Sequence, residues 1–429
     1  MDKILNRICK IENHPISKLD KSLSLIYIKG LGAALYALTG NSAAARMIYN
    51  VWAQSIMGDS QKYDELYWHE DLKSIKAALR LKVRGFKFIS MSYEFIYDLF
   101  YLYASSLGDA VIYDDVYFFL KENCSSIWTK GKIESIFRYI IGEGSCPKKI
   151  SPFQIEHWEN NKKYLSEREF RILVVANMSA GKSTLINALT GYSINQTRNT
   201  ACTDKIVSIH NKRAKEGATL RIENGIYQYT DDIDSIDNSL FDGVCLPFKS
   251  SLKDYNIEII DTPGNNNVQN MKHGEITEKA IKEGNYDAVM FVSNSQYFGT
   301  NDERHLLNIL KSRVHKPIIF VLNQLDKFKQ KEDSIEKMVG DYRSDLIKIG
   351  FRNPMVVPVS AAAALMFKTD ERLLDEEDLM EKEIFEKKFQ KEFYNLPSYV
   401  KDKSHLPDSN NLLEKTGIIN LEKSIINLI

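Results

Sequence analysis

The sequence has few of the residues from which metal centres and covalent catalytic sites are built. Its five cysteines are an odd number without metal-ligand spacing, and its eight histidines are dispersed along 429 residues. The cysteines are Cys9, Cys124, Cys146, Cys202 and Cys245. This pattern argues against a zinc cluster and a catalytic His/Cys centre, and it predicts reduced thiols inside a cell.

An excess of charge of one sign is also missing. The chain carries 57 basic and 57 acidic residues, so its formal net charge is zero. Without an overall field, no nucleic acid is expected as a partner, and any attraction to an anionic membrane must be local. The first seven residues lack the apolar core of a secretion signal. We therefore expect a cytoplasmic location, with peripheral attachment to a membrane left open.

Long uninterrupted apolar runs are absent as well. The most apolar region, 22–58, is interrupted by Lys29, Arg46 and glycines that break its helical pattern. This favours a helical hairpin with a buried seam over a membrane span. Between 63 and 141, aromatic residues recur at helical intervals, which predicts several packed helices with an aromatic core.

One set of basic residues in that region has helical spacing. If the helix is continuous, these residues lie on one face, which is either a solvated surface or a site for an anionic partner. They are Lys73, Lys76, Arg80, Arg84 and Lys87.

A segment rich in small residues, 176–183, has the context of a phosphate-binding loop, between a strand-like and a helix-like run. In such a loop, backbone N–H groups surround the phosphates, Lys182 reaches their outer oxygens, and the Ser183 hydroxyl ligates Mg²⁺. Ala176 occupies the position of the usual first glycine. Alanine is tolerated there if the backbone has a negative φ. The predicted nucleotide-binding residues here are Asn177, Ser179, Ala180, Gly181, Lys182, Ser183 and Thr184.

Two later segments predict the contacts to the metal and the γ-phosphate. Thr200 and Thr203 precede the strand-like run 205–209, and either hydroxyl can complete Mg²⁺ coordination. The apolar run 257–260 ends at Asp261, whose carboxylate can hold the metal through water, while the Gly264 N–H can meet the γ-phosphate. Taken singly, such an aspartate is more often a cap or turn residue.

Two further segments predict the contacts to the base. The apolar run 317–322 leads into Asn323 and Gln324 and then Asp326, whose carboxylate can accept from guanine N1–H and the exocyclic amine. Ser360 and Ala361 follow the next run, and a backbone N–H of this turn can donate to guanine O6. Five motifs in this fixed order predict GTP and GDP as ligands, although none of their residues is an obvious general base.

At these residues the chain resembles the dynamin-like GTPases, most closely their bacterial members. The similarity covers about 170–429 and rests on 179–189, 261–264, the strand 287–294 with Gln296 and Gly299, and the closing helix at 416–418. It implies Mg²⁺ as cofactor and hydrolysis of GTP to GDP and phosphate, stimulated when two GTPase domains pair. It also implies a nucleotide-dependent homodimer, with another dynamin-like protein or a membrane as possible partners.

The resemblance also implies roles for individual residues. Thr203 matches the position of the switch threonine better than Thr200, so the implied metal ligands are Ser183, Thr203 and Asp261. Ser179 matches the loop serine that orients water and compensates charge on pairing, and the implied catalytic residues are Ser179, Lys182, Thr203 and Gly264. Two positions depart from the pattern: Met178 stands where eukaryotic members have glutamine, and Gln324 where the base-reading motif has lysine.

The alternation of strand and helix patterns predicts an α/β fold. We expect a P-loop GTPase domain with a mixed, mostly parallel sheet, preceded by an all-α helical domain. The glycine-rich break at 142–147 suggests a helical domain at 1–145, acting as a neck, trunk or sensor, and a linker and helix at 146–169. The GTPase domain then covers 170–429, with a charged helical insertion near 368–411 in which phenylalanines recur every four residues. Strands are expected at 170–176, 205–210, 218–223, 257–260, 287–293, 317–322 and 355–359.

These observations favour a switch protein that binds and hydrolyses GTP. The alternative is a nucleotide-gated protein- or membrane-interaction module with little intrinsic hydrolysis, which the departures at Met178 and Gln324 favour. A third hypothesis is an interaction protein whose amino-terminal helices engage a partner irrespective of nucleotide.

Overall fold

The computed structural model describes residues 5, 10–11, 13–83, 89–107, 113–124, 126–177, 179–194, 205–212, 217–222, 226–236, 241–263, 271–400 and 411–429. The chain forms two compact units. The first comprises Met1–Arg168 with Ala214–Asp231, and the second comprises Glu169–Arg213 with Asp232–Ile429.

The first unit is built mainly from helices, as the sequence predicts. They are α1 (Lys21–Thr39), α2 (Ala43–Met57), α3 (Tyr63–Tyr67), α4 (Leu72–Leu79), α5 (Ser92–Ser106), α6 (Tyr113–Asn123), α7 (Ile127–Ile140) and α8 (Pro152–Ser166). A short antiparallel pair, β1 (Lys82–Val83) and β2 (Ile89–Ser90), lies between α4 and α5.

Helices α1 and α2 form the predicted hairpin, but the glycines of α1 do not break it. A Cβ atom on Gly30 would lie 2.4 Å from Ala78 Cβ, and one on Gly32 would lie 2.6 Å from the Tyr49 ring. Glycine at these positions therefore allows α4 and α2 to pack closely against α1. By length and hydropathy, α1 also meets the criteria for a membrane-crossing helix, although half of its apolar window is buried within the protein.

The condition for aligning the basic residues on one face, a continuous helix, is not met. Helix α4 ends at Leu79, with Arg80 as its C-cap, and the chain turns into β1 at Lys82. Lys73 and Lys76 remain exposed on α4. Arg84 and Lys87 lie outside the described residues.

The core of the first unit is organised around the buried carboxylate of Asp98 on α5. Its Oδ2 accepts from Tyr27 OH at 2.6 Å, His14 Nε2 at 2.8 Å and Trp52 Nε1 at 3.4 Å, and its Oδ1 accepts from Gln154 Nε2 at 2.6 Å. Because His14 Nδ1 accepts from the Ile16 N–H, its Nε2 carries the proton that is donated to Asp98. One side chain thus links α5 to α1, α2, α8 and the segment before α1.

Aromatic side chains fill the space around this carboxylate, in agreement with the predicted aromatic core. Trp52, Phe95, Tyr97, Phe100 and Tyr101 are all buried. The rings of Trp52 and Tyr101 are 5.1 Å apart, and those of Tyr27 and Phe95 meet edge to face at 5.5 Å. Such pairs contribute beyond the area that they bury.

The remaining strands are β3 (Phe170–Ala176), β4 (Val207–Asn211), β5 (Ala218–Ile222), β6 (Ile226–Thr230), β7 (Phe241–Leu246), β8 (Ile257–Asp261), β9 (Ala288–Asn294), β10 (Ile318–Asn323) and β11 (Met355–Pro358). In the second unit the described strands follow the order β11-β10-β9-β3-β8-β4-β7. Strand β4 runs antiparallel to β8, whereas β10, β9, β3 and β8 run parallel to their neighbours on the β11 side. This confirms the predicted mixed, mostly parallel sheet.

Helices cover the sheet of the second unit. They are α9 (Lys182–Thr190), α10 (Met271–Glu283), α11 (Asn301–Arg313), α12 (Ile335–Ile349), α13 (Ala361–Lys368), α14 (Glu376–Phe389), α15 (Leu412–Lys415) and α16 (Ile418–Ile426). Helix α9 packs against α13 and α16, and α11 packs against α10 and α12. Phe385 and Phe389 of α14 are buried, which confirms that a helix in the charged insertion packs on the domain.

A buried ion pair closes the end of this unit. Lys368 Nζ, at the end of α13, donates to Glu422 Oε1 of α16 at 2.6 Å and to the Ala188 carbonyl of α9 at 2.7 Å. The other oxygen of Glu422 accepts from the Ser251 N–H at 3.0 Å. These contacts fix the last helix against the helix that follows the phosphate-binding loop.

The hairpin of β5 and β6 belongs to the first unit, although its sequence lies between two strands of the second. Strand β6 packs against α2, and Tyr227 and Tyr229 are partly buried against the helical core. Asp231, just beyond β6, pairs with Lys10 at 2.5 Å.

Glu94 makes the stability of the first unit depend on pH. It lies one turn before Asp98 on α5 and is buried, and its Oε2 has no hydrogen-bond partner among the described residues. Burial, with a smaller contribution from Asp98, raises the Glu94 pKa from 4.5 to about 7. The fold therefore favours the protonated form of Glu94. The contribution of this group to the free energy of unfolding is complete below pH 4.5 and is lost as the pH rises towards 7.

We expect Glu94→Gln to remove this loss and to stabilise the first unit by about 3 kcal/mol at pH 8, with little change at pH 4.5. All four tryptophans, Trp52, Trp68, Trp128 and Trp158, lie in the first unit, so denaturant unfolding followed by tryptophan fluorescence reports on this unit. Exposed Glu143→Gln is the matched control. Equal pH dependence of wild type and Glu94→Gln would contradict the assignment.

Candidate nucleotide-binding site

The predicted phosphate-binding loop connects the end of β3 to the start of α9. Its residues Ser179 and Gly181 have left-handed backbones, with φ of 60° and 81°. A Cβ atom on Gly181 would lie 2.5 Å from Asn323 Nδ2, so the loop requires glycine there for two reasons. The loop therefore has a specific shape that brings its peptide groups towards the ends of the neighbouring strands.

Side-chain amides at those strand ends hold the loop by its carbonyl groups. Asn294 Nδ2 donates to the Ser179 carbonyl at 3.1 Å, and Gln324 Nε2 donates to the same oxygen at 2.7 Å. Asn323 Nδ2 donates to the Ala180 carbonyl at 2.9 Å. Asn294 and Asn323 are register partners in the parallel pair of β9 and β10, so the sheet itself brings them together.

The predicted phosphate and metal residues converge at the end of β8. Lys182 Nζ donates to Asp261 Oδ1, and both residues are buried. Asp261 is the register partner of Val174, and the Thr262 hydroxyl donates to the Val174 carbonyl at 2.8 Å. Ser183 and Thr184, in the first turn of α9, are half-buried. Thr200, Thr203 and Gly264, like Met178, lie outside the described residues.

The predicted base-reading residues lie beside the loop. Asp326 is buried in a short 3-10 helix, Leu325–Lys327, where its Oδ1 accepts from the Ser360 hydroxyl at 2.6 Å. In the turn predicted to supply a backbone donor to the base, the N–H of Ala361 donates to Asn323 Oδ1 at 3.0 Å. Asn323 therefore joins the phosphate-binding loop through Nδ2 to the base-reading turn through Oδ1.

Two residues that sequence reasoning missed hold the outer side of the base-reading segment. Lys388 Nζ, from α14, donates to the Asp326 carbonyl at 3.1 Å, and Tyr394 OH donates to the Phe328 carbonyl at 2.7 Å. Burial, with added effects of Asp326 and Asp333, raises the Tyr394 pKa, so the phenol remains a donor. No local pattern indicated these contacts, because they join segments more than sixty residues apart.

A buried carboxylate supports the other side of the loop. Glu303 of α11 accepts from the Ser293 hydroxyl and from the Gly299 N–H. Burial raises the Glu303 pKa, and both hydrogen bonds oppose that effect. Asn177 Nδ2 of the loop donates to the Thr300 hydroxyl at 3.2 Å, at the start of the same helix. Asn294 and Thr300, at the two ends of the segment after β9, therefore both contact the loop.

A second polar cluster lies at the opposite end of the strands. Ligand atoms of Glu169, His210 and Glu258 lie within 4.8 Å of one another, and all three side chains are buried. However, Glu258 already accepts from Arg171 Nε at 2.5 Å and from Ser208 Oγ at 2.8 Å, and Glu169 pairs with His210 at 2.7 Å. Burial alone would raise the Glu258 pKa, but His210, Arg171 and Ser208 lower it. We therefore interpret the cluster as an internal ion-pair network.

The parallel strands, the phosphate-binding loop and the base-reading aspartate define a P-loop GTPase fold. Residues 172–325 match the model of the Dynamin family. The matched range runs from β3 to the end of β10 and includes the phosphate-binding loop, in agreement with the resemblance of the motifs.

The chain is also similar to individual known proteins. A bacterial dynamin-like protein of Nostoc punctiforme is 27% identical over 222 residues, which cover 46% of this chain and 31% of that protein. The chain thus spans about a third of the length of this curated relative. Among solved structures, an oligomerised bacterial dynamin pair is 15% identical with a TM-score of 0.32, covering 54% of this chain and 39% of that one. Arabidopsis thaliana Toc33 in complex with Mg²⁺ and GMPPNP is 15% identical with a TM-score of 0.34. The similarity covers 64% of this chain and 89% of the Toc33 chain.

The close contact between Gly181 and Asn323 predicts that a side chain at position 181 weakens nucleotide binding. Gly181→Ala places a methyl group against Asn323 Nδ2 and forces a left-handed alanine, so GDP binding should weaken by at least about tenfold. Gly340→Ala is the control, because a Cβ atom there meets nothing within 4 Å, and alanine in α12 should stabilise the domain by about 1 kcal/mol. Calorimetric titration of both variants with GDP tests this, and equal affinities would contradict it.

Proposed function

We propose that the protein binds GTP and GDP with Mg²⁺ and hydrolyses GTP as a dynamin-like switch. The observation that supports this best is the double role of Asn323, whose amide contacts both the Ala180 carbonyl and the Ala361 N–H. This side chain connects the part of the site that would bind phosphates to the part that would read the base. A guanine nucleotide spanning both parts would meet a site already assembled by the fold.

The base would be selected by Asp326. The Ser360 hydroxyl holds Asp326 Oδ1 at 2.6 Å, which directs a buried carboxylate and costs little reorganisation on binding. Guanine offers two donors to a carboxylate, whereas adenine presents a mismatched edge. The Ala361 N–H would then be shared between Asn323 and guanine O6, or transferred to O6.

The phosphates would be met by Lys182 and the loop N–H groups. Lys182 Nζ contacts Asp261, so binding requires this ammonium group to exchange a carboxylate for phosphate oxygens. Ser183 and Asp261 offer the oxygen donors that Mg²⁺ prefers, and the Asp261 carboxylate already faces a cation. Bound there with Thr203, Mg²⁺ would neutralise charge on the β- and γ-phosphates during in-line attack by water.

Pairing of two GTPase domains would complete the catalytic site. Ser179 is exposed, and its carbonyl is held by Asn294 and Gln324, so the exposed serine has a fixed position on the surface of the loop. Gly264 would contact the γ-phosphate. Loss of the γ-phosphate on hydrolysis would release the segments around Thr203 and Gly264. Partners beyond a second copy, another dynamin-like protein or a membrane, remain part of the same proposal, as does a cytoplasmic location.

A second candidate is a nucleotide-gated interaction module with little hydrolysis. Met178 favours it, because an apolar side chain replaces the glutamine of eukaryotic members beside Ser179. Such a protein would exchange GTP for GDP and use the change in the loop as its signal.

Base selection is tested by Asp326→Asn. The amide presents a donor where guanine also presents donors, so we expect GTP affinity to fall by about 100-fold and xanthosine triphosphate to bind in its place. Titration of wild type and variant with GTP, xanthosine triphosphate and ATP measures the exchange. Wild-type protein that binds ATP as well as GTP would overturn the proposed ligand.

Pairing is tested by the dependence of turnover on protein concentration. If a second domain completes the site, phosphate release per molecule should rise with protein concentration, and Lys182→Ala should reduce it to background at every concentration. Exposed Lys329→Ala is the control for the loss of a lysine. Turnover near background throughout, with intact GTP binding, would favour the interaction module instead.

A further inference from the structure

Two strained residues of the nucleotide site contact each other. Among the described residues, the non-glycine residues with positive φ are Asn13, Ser179, Gln324 and Asn353. Asparagine tolerates this backbone region, whereas serine and glutamine adopt it at a cost. The strained pair is joined directly, because Gln324 Nε2 donates to the Ser179 carbonyl at 2.7 Å. Strain of this kind persists where surrounding contacts enforce it, often at functional sites.

A third residue fixes the direction of the Gln324 amide. Lys327 Nζ donates to Gln324 Oε1 at 2.7 Å. An ammonium group can only donate, so the amide oxygen must face Lys327 and the amide nitrogen must face Ser179. In the flipped amide, two acceptor oxygens would face each other across the contact with the loop.

We propose that Gln324 and Lys327 form a latch that holds the phosphate-binding loop in its nucleotide-binding shape. In this latch, Gln324 contacts the loop, and Lys327 is a positioning residue that acts through Gln324. The inference rests on the proposed guanine-nucleotide binding and explains the departure at position 324. A lysine there can donate to the Ser179 carbonyl by itself, whereas a glutamine needs a neighbour to orient it.

The latch differs from an ordinary surface contact in how its two members depend on each other. Lys327 is exposed and Gln324 is half-buried, so an isolated hydrogen bond between the two side chains would contribute little to stability or to GDP affinity. If Lys327 acts by orienting the Gln324 amide, it contributes to GDP affinity while glutamine occupies position 324. When lysine replaces the glutamine, this contribution of Lys327 disappears. Independent contacts would instead give effects that add.

The test is a double-mutant cycle on the full chain, read by calorimetric titration with GDP and Mg²⁺. We expect Gln324→Ala to weaken GDP binding about five- to tenfold and Lys327→Met about threefold, as befits one hydrogen bond and its orientation. Gln324→Lys should recover the GDP affinity that Gln324→Ala loses, because lysine can donate to the Ser179 carbonyl, and adding Lys327→Met to Gln324→Lys should cause no further loss. Lys329→Met is the matched control, because Lys329 Nζ pairs with Glu332 on the same segment.

A second measurement addresses the strain itself. Ser179→Gly removes the cost of the left-handed backbone, so Gln324→Ala should lose less affinity in this background than in wild type. Thermal unfolding without nucleotide should give the same midpoint for all latch variants, because both side chains lie at the surface of the segment.

The outcomes separate the two proposals. Additive effects of Lys327→Met and Gln324→Lys, or an effect of Lys327→Met no larger than that of Lys329→Met, would overturn the latch and leave GDP binding intact. A wild-type chain that does not bind GDP would overturn the proposed function and the latch with it.

Discussion

The nucleotide site depends on the hydrogen bonds by which side-chain amides hold the carbonyl groups of the phosphate-binding loop. Asn294 and Asn323 occupy paired positions at the carboxyl ends of β9 and β10, so the register of a parallel sheet determines where their amides lie. The left-handed backbone of Ser179 has a conformational cost that surrounding contacts must offset. The sheet therefore supplies strand ends and also the donors that give the loop its shape.

The first unit is organised by a different constraint, a buried anion surrounded by neutral donors. Asp98 receives hydrogen bonds from His14, Tyr27, Trp52 and Gln154, which lie on separate segments. Four donors offset much of the cost of burying a carboxylate. Removing one donor would leave the charge less satisfied, whereas Glu94, one turn away, has no comparable set of partners and favours its protonated form.

The sequence was most informative where function and periodicity coincide. Strands β3, β8, β9, β10 and β11 were predicted close to their observed bounds, because apolar runs of strand length end there in polar motif residues. The sequence left open whether the basic residues from Lys73 onward share one helix, because spacing alone does not show where a helix ends, and α4 stops at Leu79. Strands β6 and β7 were missed, and so was the packing of β6 on α2. Lys388 and Tyr394 could not be predicted, since their partners are carbonyl groups that carry no side-chain signal.

The ion pair between Lys368 and Glu422 bears on when the second unit can complete its folding during synthesis. Lys182 and the phosphate-binding loop leave the ribosome early in the synthesis of the second unit. The helix that follows them is contacted by Lys368, whose partner Glu422 lies 54 residues further along the chain. Until Glu422 has been synthesised, Lys368 lacks the carboxylate with which it pairs in the fold. The set of contacts that Lys368 makes with α9 and α16 is therefore complete only after α16 has been synthesised.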